Sequence, residues 1–184
     1  SFFSFLLPFT SSPCPSSLGR QWSAESTKHA YEVNRAQMAS VATKRKLKVA
    51  CVQFTATTDR DRNFRQCSKV IQDAANLGSE FVCLPECFHF IGDANTKSIE
   101  VAEKMDEKTQ MFPSIKKYCE LASKLKVGLS LGGFPEVSSV DPGKVFNTHL
   151  VITPEGKISS LYRKMHLFDY PEGNLMESSF TTAG

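Results

Sequence analysis

Two short apolar runs on either side of one amphipathic stretch constrain this chain most. Residues 47–55 (LKVACVQFT) and 81–84 (FVCL) are β-branched and apolar enough to be buried strands. Between them, residues 59–78 carry Phe64, Cys67, Val70, Ile71, Ala74 and Ala75 at i, i+3, i+4 spacing, with Gly78 placed to end the turn. That period predicts an amphipathic helix. Pro85 stops the second strand.

The pattern then repeats. Residues 112–126 show a second helical period through Ile115, Tyr118, Cys119, Ala122 and Leu125. Residues 127–134 (VGLSLGGF) read as a strand whose glycines suit close approach by another backbone or a ligand. Residues 145–153 and 157–162 flank Pro154-Glu155-Gly156, which predicts a β-hairpin. Residues 92–108 are polar and less regular, as expected of a loop with a short helix. The order β-α-β-α-β-β-β indicates an α/β sandwich. Beyond Tyr162 no closing element is visible.

The first 45 residues differ in kind. They begin with the apolar run Phe2-Phe3-Ser4-Phe5-Leu6-Leu7, turn Ser/Pro-rich, and carry two acids, Glu25 and Glu32, in a basic setting. The run is too short to span a bilayer. Two readings fit: an organelle transit peptide, or upstream translation preceding a start at Met38. Both predict a disordered leader over residues 1–45 and a folded domain over 46–184. They place the protein in the cytoplasm, or in a chloroplast or mitochondrion if the leader is real.

The net charge of +3 is small and forms no basic stripe, so nucleic acid is not an expected partner, nor is a membrane. The six cysteines are scattered, four of them in apolar segments, and are expected to be reduced and mostly buried. Cys83 and Cys87 form one C-x₃-C pair without a second, which argues against a zinc site and for packing.

Glu86 and Lys164 carry the chemistry. Glu86 follows Pro85 at the carboxyl end of a buried strand, where ligands of α/β folds gather, and a half-buried carboxylate there suits a general base. Lys164 ends the last predicted strand, placed to donate to a developing oxyanion. Each also has a plainer reading, as a loop carboxylate and a solvent-facing basic residue. His166 is expected to be a packed or hydrogen-bonded histidine.

Taken in order, Gln53 in V-A-C-V-Q-F, Glu86 in L-P-E-C-F, S-L-G-G-F-P-E at 130–136, Asn147 in F-N-T-H, and Y-R-K-M-H-L-F-D at 162–169 resemble the nitrilase superfamily of carbon–nitrogen hydrolases. The resemblance covers about residues 46–184. It implies an αββα sandwich of the nitrilase type, here its N-terminal part, leaving one apolar sheet face exposed. It further implies a Cys-Glu-Lys triad with Glu86 as general base and Lys164 stabilising the tetrahedral intermediate. A second glutamate, positioning the lysine and substrate, best matches Glu177, with Glu172 as rival. The family nucleophile lies after the lysine, where this chain has no cysteine, Cys119 being its last.

No metal or organic cofactor is implied. The stretches F-H-F-I-G-D (88–93) and L-S-L-G-G-F (129–134) are most similar to the branch that hydrolyses deaminated glutathione in metabolite repair. The neighbouring branch, ω-amidases acting on α-ketoglutaramate, is the alternative. The resemblance implies a small-molecule amide substrate and homo-oligomers for the complete protein, and no turnover by this chain alone. A non-catalytic product acting only in subunit assembly is the rival from another class.

Overall fold

The computed structural model describes residues 46–92, 97–106, 108–109 and 111–184; the expected leader lies outside the described residues. The elements run β1 (Val49–Cys51), α1 (Arg60–Asn76), β2 (Phe81–Cys83), α2 (Lys97–Glu100), α3 (Lys116–Leu125), β3 (Gly128–Val137), β4 (Val145–Ile152) and β5 (Ile158–Arg163). They form one five-stranded sheet in the order β1-β2-β3-β4-β5. The first three strands are parallel and the last two pairings antiparallel. Crossovers between neighbouring parallel strands share one hand, so the helices that follow β1 and β2 fall on the same face.

The helical period is realised as read. Cys67, Ile71 and Ala74 of α1 and Tyr118, Cys119 and Ala122 of α3 join Val82, Leu129, Leu131, Leu150 and Ile152 from one face of the sheet in the core. Each large apolar side chain buried there is worth roughly 1.5–3 kcal/mol, so this face dominates stability. Asp59 caps α1 by accepting from Arg62 N–H at 2.9 Å, and Gly78 beyond its end takes a φ of +81°. Phe64 and Phe88 meet Tyr118 edge-on at 5.0 and 5.3 Å between ring centroids, tying both helices to the segment after β2.

Boundaries moved where tertiary pairing overrode the local pattern. The expected strand over 47–55 forms ladder only at Val49–Cys51, because its partner β2 is cut short by Pro85. The helix expected from 112 starts at Lys116, after a turn through Pro113 closed by Ile115 N–H to Phe112 O at 3.0 Å. Conversely β3 runs to Val137, since β4 pairs with it throughout. The β4–β5 hairpin is present, its turn closed by Thr153 N–H to Lys157 O at 2.8 Å and Gly156 N–H to Thr153 O at 2.9 Å.

The other face of the sheet is open among the described residues: Val49 is 48% and Tyr162 54% exposed, and Cys51 is exposed as well. Among the described residues this corrects the expectation that the cysteines are mostly buried, since Cys67 and Cys119 are buried and Cys83 and Cys87 only partly so, while Cys14 lies outside those residues. The open face is also less apolar than expected, for Ser130 Oγ and His149 Nε2 pair on it at 2.9 Å.

Beyond β5 lie further elements that the sequence does not announce. A two-stranded ribbon, β6 (Asp169–Tyr170) with β7 (Leu175–Met176), precedes a stretch in which Val145 N–H donates to Phe180 O at 3.0 Å and Thr182 N–H to Val145 O at 2.8 Å. Its strands are too short to show a period in sequence. No helix among the described residues is long and apolar enough to cross a membrane.

Candidate active site

Glu86 is delivered by a nested pair of backbones. Leu84 N–H donates to Ser130 O at 2.8 Å and Cys87 N–H to Gly133 O at 3.1 Å, so the segment after β2 continues alongside β3. A Cβ on Gly132 would lie 2.3 Å from Pro85 O and 2.7 Å from Glu86 N, closer than a side chain tolerates. The β3–β4 register shifts between Leu131 and Phe134, a bulge at the two glycines. The close backbone approach read from V-G-L-S-L-G-G-F is thus Pro85–Glu86 itself. Cys87 completes the turn at a φ of +57°, an unusual conformation for a residue with a Cβ.

Lys164 is delivered by the hairpin. Its N–H extends the ladder to Asn147 O at 2.9 Å, and its Nζ lies 2.9 Å from Glu177 Oε2 and 3.7 Å from Glu86 Oε1. Glu177 is buried, and the same Oε2 accepts Phe168 N–H at 2.6 Å. Ser178 N–H donates to Asp169 Oδ1 at 2.9 Å and holds that carboxyl below its usual range, pinning the loop. Glu172 sits exposed on the turn between β6 and β7.

The structure therefore brings Glu86, Lys164 and Glu177 together and leaves Glu172 apart. Burial works against the charge of Lys164, but the Glu177 hydrogen bond and the charges of both glutamates outweigh it, and its pKa is raised. Glu86, expected half-buried, has a side chain 59% exposed, because the face it lies on is open.

These groups border a cavity of about 620 Å³ whose wall is largely aromatic and aliphatic, with Phe90, Phe146, Phe168 and Leu175 among its residues. Its size suits a small-molecule site. Cys87 lines it too, so it is not the plain packing residue expected from sequence. Burial, then the negative charge of Glu86, raises its thiol pKa, with Lys164 opposing. His166 is exposed rather than packed. No cluster of His, Cys, Asp or Glu among the described residues could hold a metal ion.

Asn147, whose side-chain Nδ2 donates to Glu86 Oε1 at 2.7 Å, has no evident role in sequence. The sequence marks it only as a member of the F-N-T-H motif and as a polar residue amid the apolar alternation of F-N-T-H-L-V-I, with no role attached. A second network was also missed. Buried Glu136 accepts from Arg163 Nε at 2.9 Å, Arg163 Nη2 at 2.6 Å and Thr148 Oγ1 at 2.6 Å, and Arg163 lies over the Phe146 ring at 4.3 Å.

Residues 48–184 match the carbon-nitrogen hydrolase family. The chain is 42% identical over 120 residues to a deaminated glutathione amidase of Dictyostelium discoideum, covering 64% of this chain and 40% of that protein. Its identity to the human deaminated glutathione amidase is 33% over 141 residues, covering 74% and 42% respectively. The crystal structure of the Caenorhabditis elegans NitFhit protein superposes with a TM-score of 0.62 at 36% identity, covering 76% of this chain and 34% of that one. The chain thus spans less than half the length of each of these relatives. It belongs to the carbon–nitrogen hydrolase family, and its fold is that of the nitrilase superfamily.

Proposed function

We propose that Glu86, Lys164 and Glu177 form the acid–base part of a cofactor-independent amide hydrolase that acts on deaminated glutathione, the thiol nucleophile coming from a cysteine outside residues 1–184. The observation that carries this reading is one ammonium held 2.9 Å from a buried carboxylate and 3.7 Å from an open one, at the edge of a small-molecule cavity. The names of the relatives at 42% and 33% identity support the substrate.

The chemistry follows from that arrangement. An amide carbonyl resists attack, so the thiol gives its proton to Glu86 and the thiolate adds to the carbon. The oxyanion that forms takes a hydrogen bond from Lys164, whose raised pKa keeps it charged. Glu177, already bonded to Nζ, holds the ammonium on target. Glu86 returns the proton to nitrogen as the C–N bond breaks and ammonia leaves. It then deprotonates the water that cleaves the thioester. The complete protein would be a homo-oligomer, as the family resemblance implies.

In the longer polypeptide containing this chain, Glu86→Gln and Lys164→Ala are each expected to cut ammonia release from deaminated glutathione by about 10³-fold or more. Retained activity in either variant would overturn the reading. The 184-residue chain by itself is expected to show no turnover. Ammonia release by it would place the nucleophile within the chain.

A further inference from the structure

Asn147 touches both halves of the site. Its main-chain carbonyl accepts Lys164 N–H at 2.9 Å, while its side-chain Nδ2 donates to Glu86 Oε1 at 2.7 Å. Lys164 Nζ lies 3.7 Å from that same oxygen. The amide is held tightly in turn: a Cβ on Gly133 would stand 1.6 Å from Asn147 Oδ1, so only glycine at 133 leaves the side chain its place. Gly133 thereby does a different job from Gly132, which admits the Pro85–Glu86 backbone.

A glutamate with a 59% exposed side chain has rotamer freedom, and a base that wanders spends little time in the reactive geometry. An ammonium alone is a poor guide, because a point charge fixes distance and not direction. A planar neutral amide fixes direction and neither gains nor loses a proton across the working pH range.

We infer that Asn147 is the positioning residue for Glu86. Its amide occupies Oε1, so that Oε2 is the oxygen that takes and returns the proton, and Gly133 is the opening that admits it. This rests on the acid–base role proposed for Glu86.

The test has two independent arms. In the longer polypeptide, Asn147→Ala should lower kcat by about 10- to 100-fold with KM within about threefold of wild type, and move the acidic limb of the rate profile to higher pH. Asn147→Asp, which sets a carboxylate against Glu86, should move that limb further. Gly133→Ala should reproduce the kcat loss of Asn147→Ala. A purely structural Asn147 would change the melting temperature and leave kcat and the pH profile alone, which would overturn the inference.

The second arm needs no turnover and no variant at 147. In the 184-residue chain, Glu86→Gln should move the side-chain amide resonances of Asn147 while leaving in place those of Asn63, which is bonded to His89 O. Resonances that ignore Glu86 would overturn the inference even if the Asn147 variants do not fold. If instead Glu86→Gln keeps full activity, the proposed function fails and the contact is judged by this arm alone.

Discussion

Two carboxylate–cation clusters stand at the same end of one sheet, on its opposite faces, and they behave differently. On the helix-covered side, Glu136 is 5% exposed and receives three donors, two from the Arg163 fork and one from Thr148. On the open side, Glu86 accepts a hydrogen bond from Asn147 and faces the Lys164 ammonium across 3.7 Å. The residue types are nearly the same. What separates them is satisfaction and access: a sealed, saturated network fixes the scaffold, whereas an exposed carboxylate with capacity to spare can exchange a proton.

Arg163 and Lys164 are adjacent, so the contrast is best broken there. Lys164→Ala is expected to cost about 10³-fold in turnover of the longer polypeptide and about 1 kcal/mol of stability, since buried Glu177 loses its ammonium but keeps Phe168 N–H. Arg163→Met should tip the other way, losing about 2 kcal/mol of stability, less than a fully buried pair because the arginine side chain is 35% exposed, while the rate per folded molecule stays within about threefold. Urea titration beside initial rates separates them. A stable but dead Arg163→Met would mean that both faces serve the chemistry.

A third cluster sharpens the point about sealed groups. His89 is 2% exposed, with Nε2 3.8 Å from the Glu103 carboxylate that Arg60 also engages. Burial first, then the positive charges of Arg60 and Lys117, push its pKa down to about 4, with Glu103 opposing. The unfolded chain, titrating near 6.5, therefore binds the proton first. Stability present above that value is expected to fall by roughly 3 kcal/mol as pH drops from 6.5 to 4. Denaturant midpoints of wild type and His89→Gln across that window should diverge; parallel curves would show His89 to be wet.

The smallest expected effect lies back on the open side. Cys87 holds a φ of +57° that a β-branched residue resists, so Cys87→Val should cost about 1–2 kcal/mol and Cys87→Gly about 0.5 kcal/mol or less. Thermal melts decide it, and equal losses would mean that packing rather than backbone strain governs this turn.

Much of this was legible in the chain itself. The two long helices and the order of elements along the chain follow from period, because each is written over a few neighbouring residues. Glu86 and Lys164 stand out only through the L-P-E and Y-R-K motifs around them. The supporting partners were not legible. Asn147 meets Glu86 across 61 residues, Arg163 meets Glu136 across 27, and Asn63 staples His89 O across 26 with a 3.1 Å hydrogen bond. Such meetings depend on register and bulges, which leave no local period. Glu177 and Glu172 could not be separated by spacing either. They part because one lies on the outer turn of the β6–β7 ribbon and the other just past its return strand.

The pleat of β5 carries one more implication. Neighbouring residues on a strand point to opposite sides, so Arg163 goes to Glu136 and Lys164 to Glu86 and Glu177. Each slot takes a cation, so charge alone would scarcely punish a hairpin threaded one notch out of step. The Thr153–Lys157 turn therefore acts as an indexing pin. One residue added or removed there would present a two-pronged guanidinium to a site built round a single point, and a lone ammonium to a carboxylate built for two prongs.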